Sequence, residues 1–176
     1  MGVRSIKNTG KHIVYILDAC CGGRMCWFDK NNLHTLYVDC RRAAPGHVPL
    51  RPKHTVQPDE LVDFRSMPYS DKAFKLILFD PPHMLKRNGK EGLMAAKYGC
   101  LGEHWEDDIR QGFEECWRVL DDFGTLIFKW SSSEVPLKKV LSLFSHEPLF
   151  GHTTTRSGTT HWMTFFKLKE AGEYEA

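Results

Sequence analysis

Four apolar runs divide the chain, and three of them stop on an aspartate. His12 to Leu17 (HIVYIL) ends at Asp18, Thr35 to Val38 (TLYV) at Asp39, and Lys75 to Phe79 (KLILF) at Asp80; Thr125 to Trp130 (TLIFKW) is the fourth. Short continuous runs of this kind predict strands buried on both faces, as in a parallel sheet whose carboxyl edge carries a site. Helical patterns lie between them. From Trp105 to Leu120, the residues Ile109, Phe113, Cys116, Trp117 and Leu120 recur at spacings of three and four, the apolar stripe of an amphipathic helix. Glu106, Asp107 and Asp108 crowd its first turn, where the helix dipole favours negative charge. Asp122-Phe123-Gly124 predicts a turn into the fourth strand, and Val135 to Phe144 a shorter helix. Leu149-Phe150-Gly151 and His161 to Leu168 (HWMTFFKL) flank a polar stretch and predict an antiparallel hairpin closing one edge of the sheet. Alternating strands and helices predict an α/β fold, and 176 residues suit a single domain spanning 1–176.

Composition narrows the picture modestly. Hydrophobic residues make up 41%, the proportion of a chain that builds a core. No apolar run reaches the ~20 residues of a membrane span. Met1 to Ile6 lacks an apolar leader pattern, so a cytoplasmic location is the expectation. The six cysteines contain no C-x-x-C pair, so free thiols and no metal site are expected. A net charge of +2 neither demands nor excludes a nucleic-acid partner.

Candidate chemistry gathers at the strand ends. Asp18-Ala19-Cys20-Cys21-Gly22-Gly23 follows the first run, and glycines at such a turn let a ligand approach the backbone closely. Asp39 ends the second strand about twenty residues on, where a carboxylate can accept ribose hydroxyls. Asp63-Phe64 precedes the third run and pairs a carboxylate with a ring that could hold adenine. Asp80-Pro81-Pro82-His83 is the most telling segment. The two prolines stop the sheet and stiffen the loop. Asp80 and a neighbouring carbonyl are then placed to accept both hydrogens of an exocyclic amine and to align its lone pair. Trp27 and Phe28 are expected to pack a first helix against the core.

This ordered set resembles the class I S-adenosylmethionine-dependent methyltransferases, and Asp80-Pro81-Pro82-His83 resembles the signature of their amino-methyltransferase branch. Together with Trp27-Phe28-Asp29-Lys30, Phe128-Lys129-Trp130 and Thr160-His161-Trp162, it is similar to small methyltransferases of phage and prophage genomes. The resemblance implies a Rossmann-like seven-stranded sheet with helices on both faces and the last strand inserted antiparallel. It implies S-adenosylmethionine as cofactor, with Asp18, Ala19, Cys20 and Gly22 at the methionine end, Asp39 at the ribose, Asp63 and Phe64 at the adenine, and Asp80 to His83 around the methyl acceptor. The branch usually carries an aromatic residue at the fourth signature position; His83 can stack there and can also titrate near neutrality.

The acceptor expected is an exocyclic amine of a nucleic-acid base, adenine ahead of cytosine and DNA ahead of RNA. Only Met84 to His104 offers a recognition insert. There Lys86, Arg87, Lys90 and Lys97, with Tyr98, suit phosphates and a splayed base, or form a solvated lid. Lys129 and Trp130 stand as cleft wall or core, and Arg156 and His161 as further substrate contacts; Trp162 reads as hairpin core. A homodimer or a partner subunit would supply recognition that so short an insert lacks. Two other readings remain: methylation of a small molecule or protein side chain, and a cofactor-binding subunit of a heteromeric enzyme.

Overall fold

The computed structural model describes residues 13–85, 92–154 and 158–169. Among these residues, seven strands form one sheet: β1 (Ile16–Asp18), β2 (Thr35–Asp39), β3 (Glu60–Leu61), β4 (Phe74–Phe79), β5 (Leu120–Ser131), β6 (Phe150–Thr154) and β7 (Thr160–Phe166). Their order across the sheet is β3-β2-β1-β4-β5-β7-β6. The first five are parallel, and β7 lies antiparallel between β5 and β6. The inserted antiparallel strand implied by the resemblance is therefore present. The carboxyl ends of β1, β2, β4 and β5 share one edge.

Among the described residues, three helices accompany the sheet: α1 (Leu93–Tyr98), α2 (Trp105–Val119) and α3 (Leu137–Leu141). The α2 stripe works as its spacing dictates: Ile109, Phe113, Cys116 and Val119 are fully buried. Phe113 stacks on Phe144 at 4.0 Å and meets Phe165 edge-on at 5.0 Å. Phe144 in turn meets Phe128 at 5.0 Å. Sheet residues of that face (Leu17, Ile77, Phe79, Leu126, Phe128, Phe165) join the same cluster, as does Val140 of α3. Burying each such side chain contributes about 1.5–3 kcal/mol, so this layer holds the site's frame.

Two local expectations change. Among the described residues no helix forms between β1 and β2; Gly22 and Arg24 take positive φ instead, and the segment runs as turns. Phe28, expected to pack a first helix, is fully exposed. Trp27 turns its indole to Asp18 at 2.6 Å and its ring edge to Tyr37. Second, α2 passes directly into β5 at Leu120. The turn expected at Asp122 to Gly124 is a bulge: the register jumps from Phe74↔Leu120 to Leu76↔Thr125, and Phe123 has φ 58°. Lys72 and Lys75 pair with Asp122 and Asp121 there, which fastens the bulge to the base of β4.

Candidate active site

The glycine turn is tied to the second strand by one carboxylate. Asp39, buried at the end of β2, accepts the Gly22 amide at 3.0 Å on Oδ2, and the Arg41 amide and Nε at 2.9 and 3.2 Å on Oδ1. Gly22 has φ 47°, a conformation that a side chain strains. Ala19 and Cys21 continue the sheet pattern by donating to Leu78 O and Val38 O. Backbone and carboxylate together fix the turn against two strands.

Asp18 closes the floor. It is 2% exposed and accepts the Trp27 indole and, at 3.4 Å, the Cys20 amide. Burial lifts its pKa to about 7; the Trp27 hydrogen bond opposes the rise, the Asp80 charge adds to it, the Cys20 amide opposes it and Asp39 adds to it.

Asp80 follows β4 and is held from the neighbouring strand. Lys129 Nζ lies 2.5 Å from its Oδ2, and the Cys26 thiol donates to the same oxygen at 3.5 Å. Among the described residues no hydrogen bond reaches Oδ1. Burial works against the Lys129 ammonium, yet the charge and hydrogen bond of Asp80 hold its pKa above the ordinary lysine value. Burial and Asp80 push the Cys26 thiol up to about 12, so it stays protonated and donates. Burial lowers the pKa of His83, with Asp80 opposing. Its ring meets Trp130 edge-on at 6.4 Å and Tyr98 at 6.3 Å.

These groups surround one cleft of about 640 Å³ at the carboxyl edge. Of the residues singled out from the sequence, Asp18, Cys20, Gly22, Asp39, Phe64, Asp80, Pro81, Pro82, His83 and Lys129 line it. Trp162 joins them, with Lys129 Nζ 5.5 Å from its ring centre, rather than serving only as hairpin core. Lys97 and Tyr98 of α1 complete a wall, bonded to each other at 2.6 Å.

Others fall elsewhere. Ala19 is buried and does not line the cleft; its amide donates to Leu78 O of the neighbouring strand. Asp63 does not line the cleft: Arg65 grips its carboxylate at 2.6–3.1 Å and bridges it to Asp108. Trp130 is core, stacked on Phe128 with its indole donating to Val135 O; one-residue alternation along β5 sends Lys129 and Trp130 to opposite faces. His161, paired in register with Trp130, is occupied by Ser132 and Thr153. Lys86, Arg87, Lys90 and Arg156 lie outside the described residues. The cleft also contains Met25, Cys26, Arg41 and Met94, which carry no motif and become visible only once loops and α1 are placed.

No family model matches the chain, and no curated protein matches it. Solved structures do. The PH0226 protein of Pyrococcus horikoshii superposes with a TM-score of 0.52 at 14% identity, over 90% of this chain and 84% of that one. HI0767 of Haemophilus influenzae, described as a "putative methylase", gives a TM-score of 0.46 at 15% identity, over 90% and 89%. The likeness to PH0226 is one of fold: a seven-stranded α/β sheet with its antiparallel end.

Proposed function

We propose that the protein is an S-adenosylmethionine-dependent methyltransferase acting on an exocyclic amine of a nucleic-acid base, adenine before cytosine. The observation that carries this reading is the rigid Asp80-Pro81-Pro82-His83 segment and the Asp39-anchored glycine turn meeting across one cleft. The strand order, with its inserted antiparallel β7, supports it.

The residues present fit the cofactor. The cleft volume lies within the roughly 300–1,000 Å³ of small-molecule sites. Cys20 and Gly22, with Asp18 beneath, line a place for the methionine end, Asp39 for the ribose and Phe64 for the adenine ring. Asp63 is left out, since Arg65 holds its carboxylate. When bound, the cofactor supplies an electrophilic methyl group on a positively charged sulfur.

The chain's own work is positioning. Lys129 and Cys26 occupy Asp80 Oδ2 and leave Oδ1 to accept one amine hydrogen, while the proline-stiffened backbone offers a carbonyl for the second. Holding both hydrogens turns the nitrogen lone pair toward the cleft. Such alignment substitutes for orientation that a free encounter must find by chance. Asp80, paired with the Lys129 ammonium through Oδ2, offers its other oxygen as the acceptor and can take the proton released after transfer. His83, its pKa lowered by burial, meets the acceptor as a neutral ring.

Incubating the protein with tritiated-methyl cofactor and DNA, RNA or cell extract, followed by nucleoside analysis, tests the reading. N-methylated adenine or cytosine is the expected product. Label confined to a small molecule or to protein would overturn the nucleic-acid assignment and leave the methyltransferase assignment standing.

A further inference from the structure

A second cavity of about 670 Å³ opens beside the cleft and shares Gly22, Gly23, Met25 and Lys97 with it. Among the described residues its lining is strongly one-signed: it contains Arg24, Lys30, Arg51, Lys53 and Lys97, and no aspartate or glutamate. The cations divide by role. Arg24 is structural: its guanidinium donates to Lys30 O, Gln57 O and Asp59 and lies 3.8 Å from the Tyr37 ring centre. Lys97 is bonded to Tyr98. Lys30, Arg51 and Lys53 are exposed, and among the described residues none of the three side chains makes an ion pair.

The loop that carries two of these cations is built to hold still. Ala43 and Val56 close its ends with two backbone hydrogen bonds of 2.9 and 3.0 Å. Gly46 donates to Pro52 O, Arg51 to Val48 O and His54 to Arg51 O. Val48 and Val56 are buried and root it in the molecule. His54 packs against the glycine turn so closely that a methyl group on Gly23 would sit 2.7 Å from its Nε2. The loop's position is thus referred directly to the turn that borders the active cleft. Lowered in pKa first by burial and then by its neighbour His47, His54 acts as a spacer rather than as a cation. A fixed arc of unpaired cations, joined to a cleft for a single base, has the charge and place to hold phosphates flanking that base.

We propose that the 43–56 loop and Lys30 bind the phosphodiester backbone of the substrate strand, next to the nucleotide whose base enters the cleft. This rests on the nucleic-acid reading above and goes beyond it by assigning the element that holds the strand. Ordered backbone contacts set register and leave base identity to the cleft. Their energy comes from counterion release, so it weakens steeply with salt.

The test compares wild type with the triple variant Lys30→Gln, Arg51→Gln, Lys53→Gln, which keeps the stems and removes the charges. Fluorescence anisotropy of a labelled single-stranded oligonucleotide of about twelve nucleotides is followed over a salt series, and S-adenosylhomocysteine affinity is measured by calorimetry. The variant is expected to lose about tenfold or more in oligonucleotide affinity at low salt. The slope of log affinity against log salt should become shallower by about 2, from ~0.7 per lost phosphate contact. Cofactor affinity should be unchanged. A variant with the wild-type slope and affinity would overturn the loop's role while leaving the nucleic-acid reading intact. A mononucleotide bound as tightly as the oligonucleotide would mark a small-anion site and overturn the strand path. Wild type that binds no oligonucleotide even at low salt would remove both readings together.

Discussion

Asp39 and Asp80 look alike in the sequence, each an aspartate ending an apolar run, yet their surroundings give them different work. Asp39 is buried and holds the Gly22 amide together with Arg41, so it shapes the turn; under the proposed function it also accepts the ribose hydroxyls. Asp39→Ala is expected to weaken S-adenosylhomocysteine binding at least tenfold by calorimetry, since each charge-assisted bond contributes roughly 1.5–3 kcal/mol. An unchanged dissociation constant would confine Asp39 to the turn. Asp80 instead faces Lys129 and Cys26. Asp80→Ala should leave cofactor affinity within about twofold and reduce methyl transfer by about 10²-fold or more, the usual scale for a group that manages a proton and its alignment. Each tenfold corresponds to about 1.36 kcal/mol of barrier. Transfer at the wild-type rate by a folded Asp80→Ala would exclude the amine clamp.

At the scale of elements, α2 and the first connection behave oppositely. Helix α2 closes on the sheet so tightly that a methyl group on Gly112 would lie 2.5 Å from Phe64 Cδ2 and 2.8 Å from Phe79 Cζ. Gly112→Ala is therefore expected to destabilise the fold by about 1–3 kcal/mol, as overpacking does, and to disturb Phe64 at the cleft wall. Denaturant titration together with cofactor affinity reads both effects. In the first connection, where turns replace the expected helix, Phe28 is fully exposed. Phe28→Ser should change stability by less than about 0.5 kcal/mol, measured by the same titration. A loss of several kcal/mol would restore the packed helix that Phe28 was expected to serve. Trp27, one residue earlier, is the anchor that the connection does use, through Asp18 and Tyr37.

For the molecule as a whole, the cleft imposes a pH signature on stability. The folded-state pKa of Asp18 is raised to about 7 from an ordinary 3.8, chiefly by burial. A group raised in this way stabilises the fold fully below pH 3.8 and loses that contribution as pH climbs toward 7. His83 runs the other way: its lowered pKa gives stability present above pH ~6.5 and lost on acidification. Asp18→Asn keeps an acceptor for the Trp27 indole and removes the ionisation. Relative to wild type, this variant is expected to gain stability steadily between pH 4 and pH 7, as followed by thermal unfolding across that range. A stability difference that stays flat with pH would show that Asp18 is ionised throughout. Among the described residues no helix is long and apolar enough to cross a membrane.

What the chain determines by itself is local and periodic. Apolar runs stopping on Asp18, Asp39 and Asp80 mark strands buried on both faces whose carboxyl ends carry polar groups, the edge where an open α/β sheet carries its site. The three-and-four spacing of Ile109, Phe113 and Cys116 determines the face that α2 buries, and two prolines after Asp80 determine a stiff loop. Partners distant in sequence are decided only by the tertiary structure. Nothing near Asp63 announces that Arg65 will also reach Asp108 and keep that carboxylate out of the cleft. Nothing in the Phe128-Lys129-Trp130 run says which face looks into the cleft until pairing with β7 sets Trp162 beside Lys129 and His161 beside Trp130. The cation-bearing loop at 43–56 has no periodicity to read, and its order comes from buried valines and from hydrogen bonds closed within it. Periodicity reports which side of an element is apolar, whereas a site depends on which elements meet, and that is settled by packing over the whole chain.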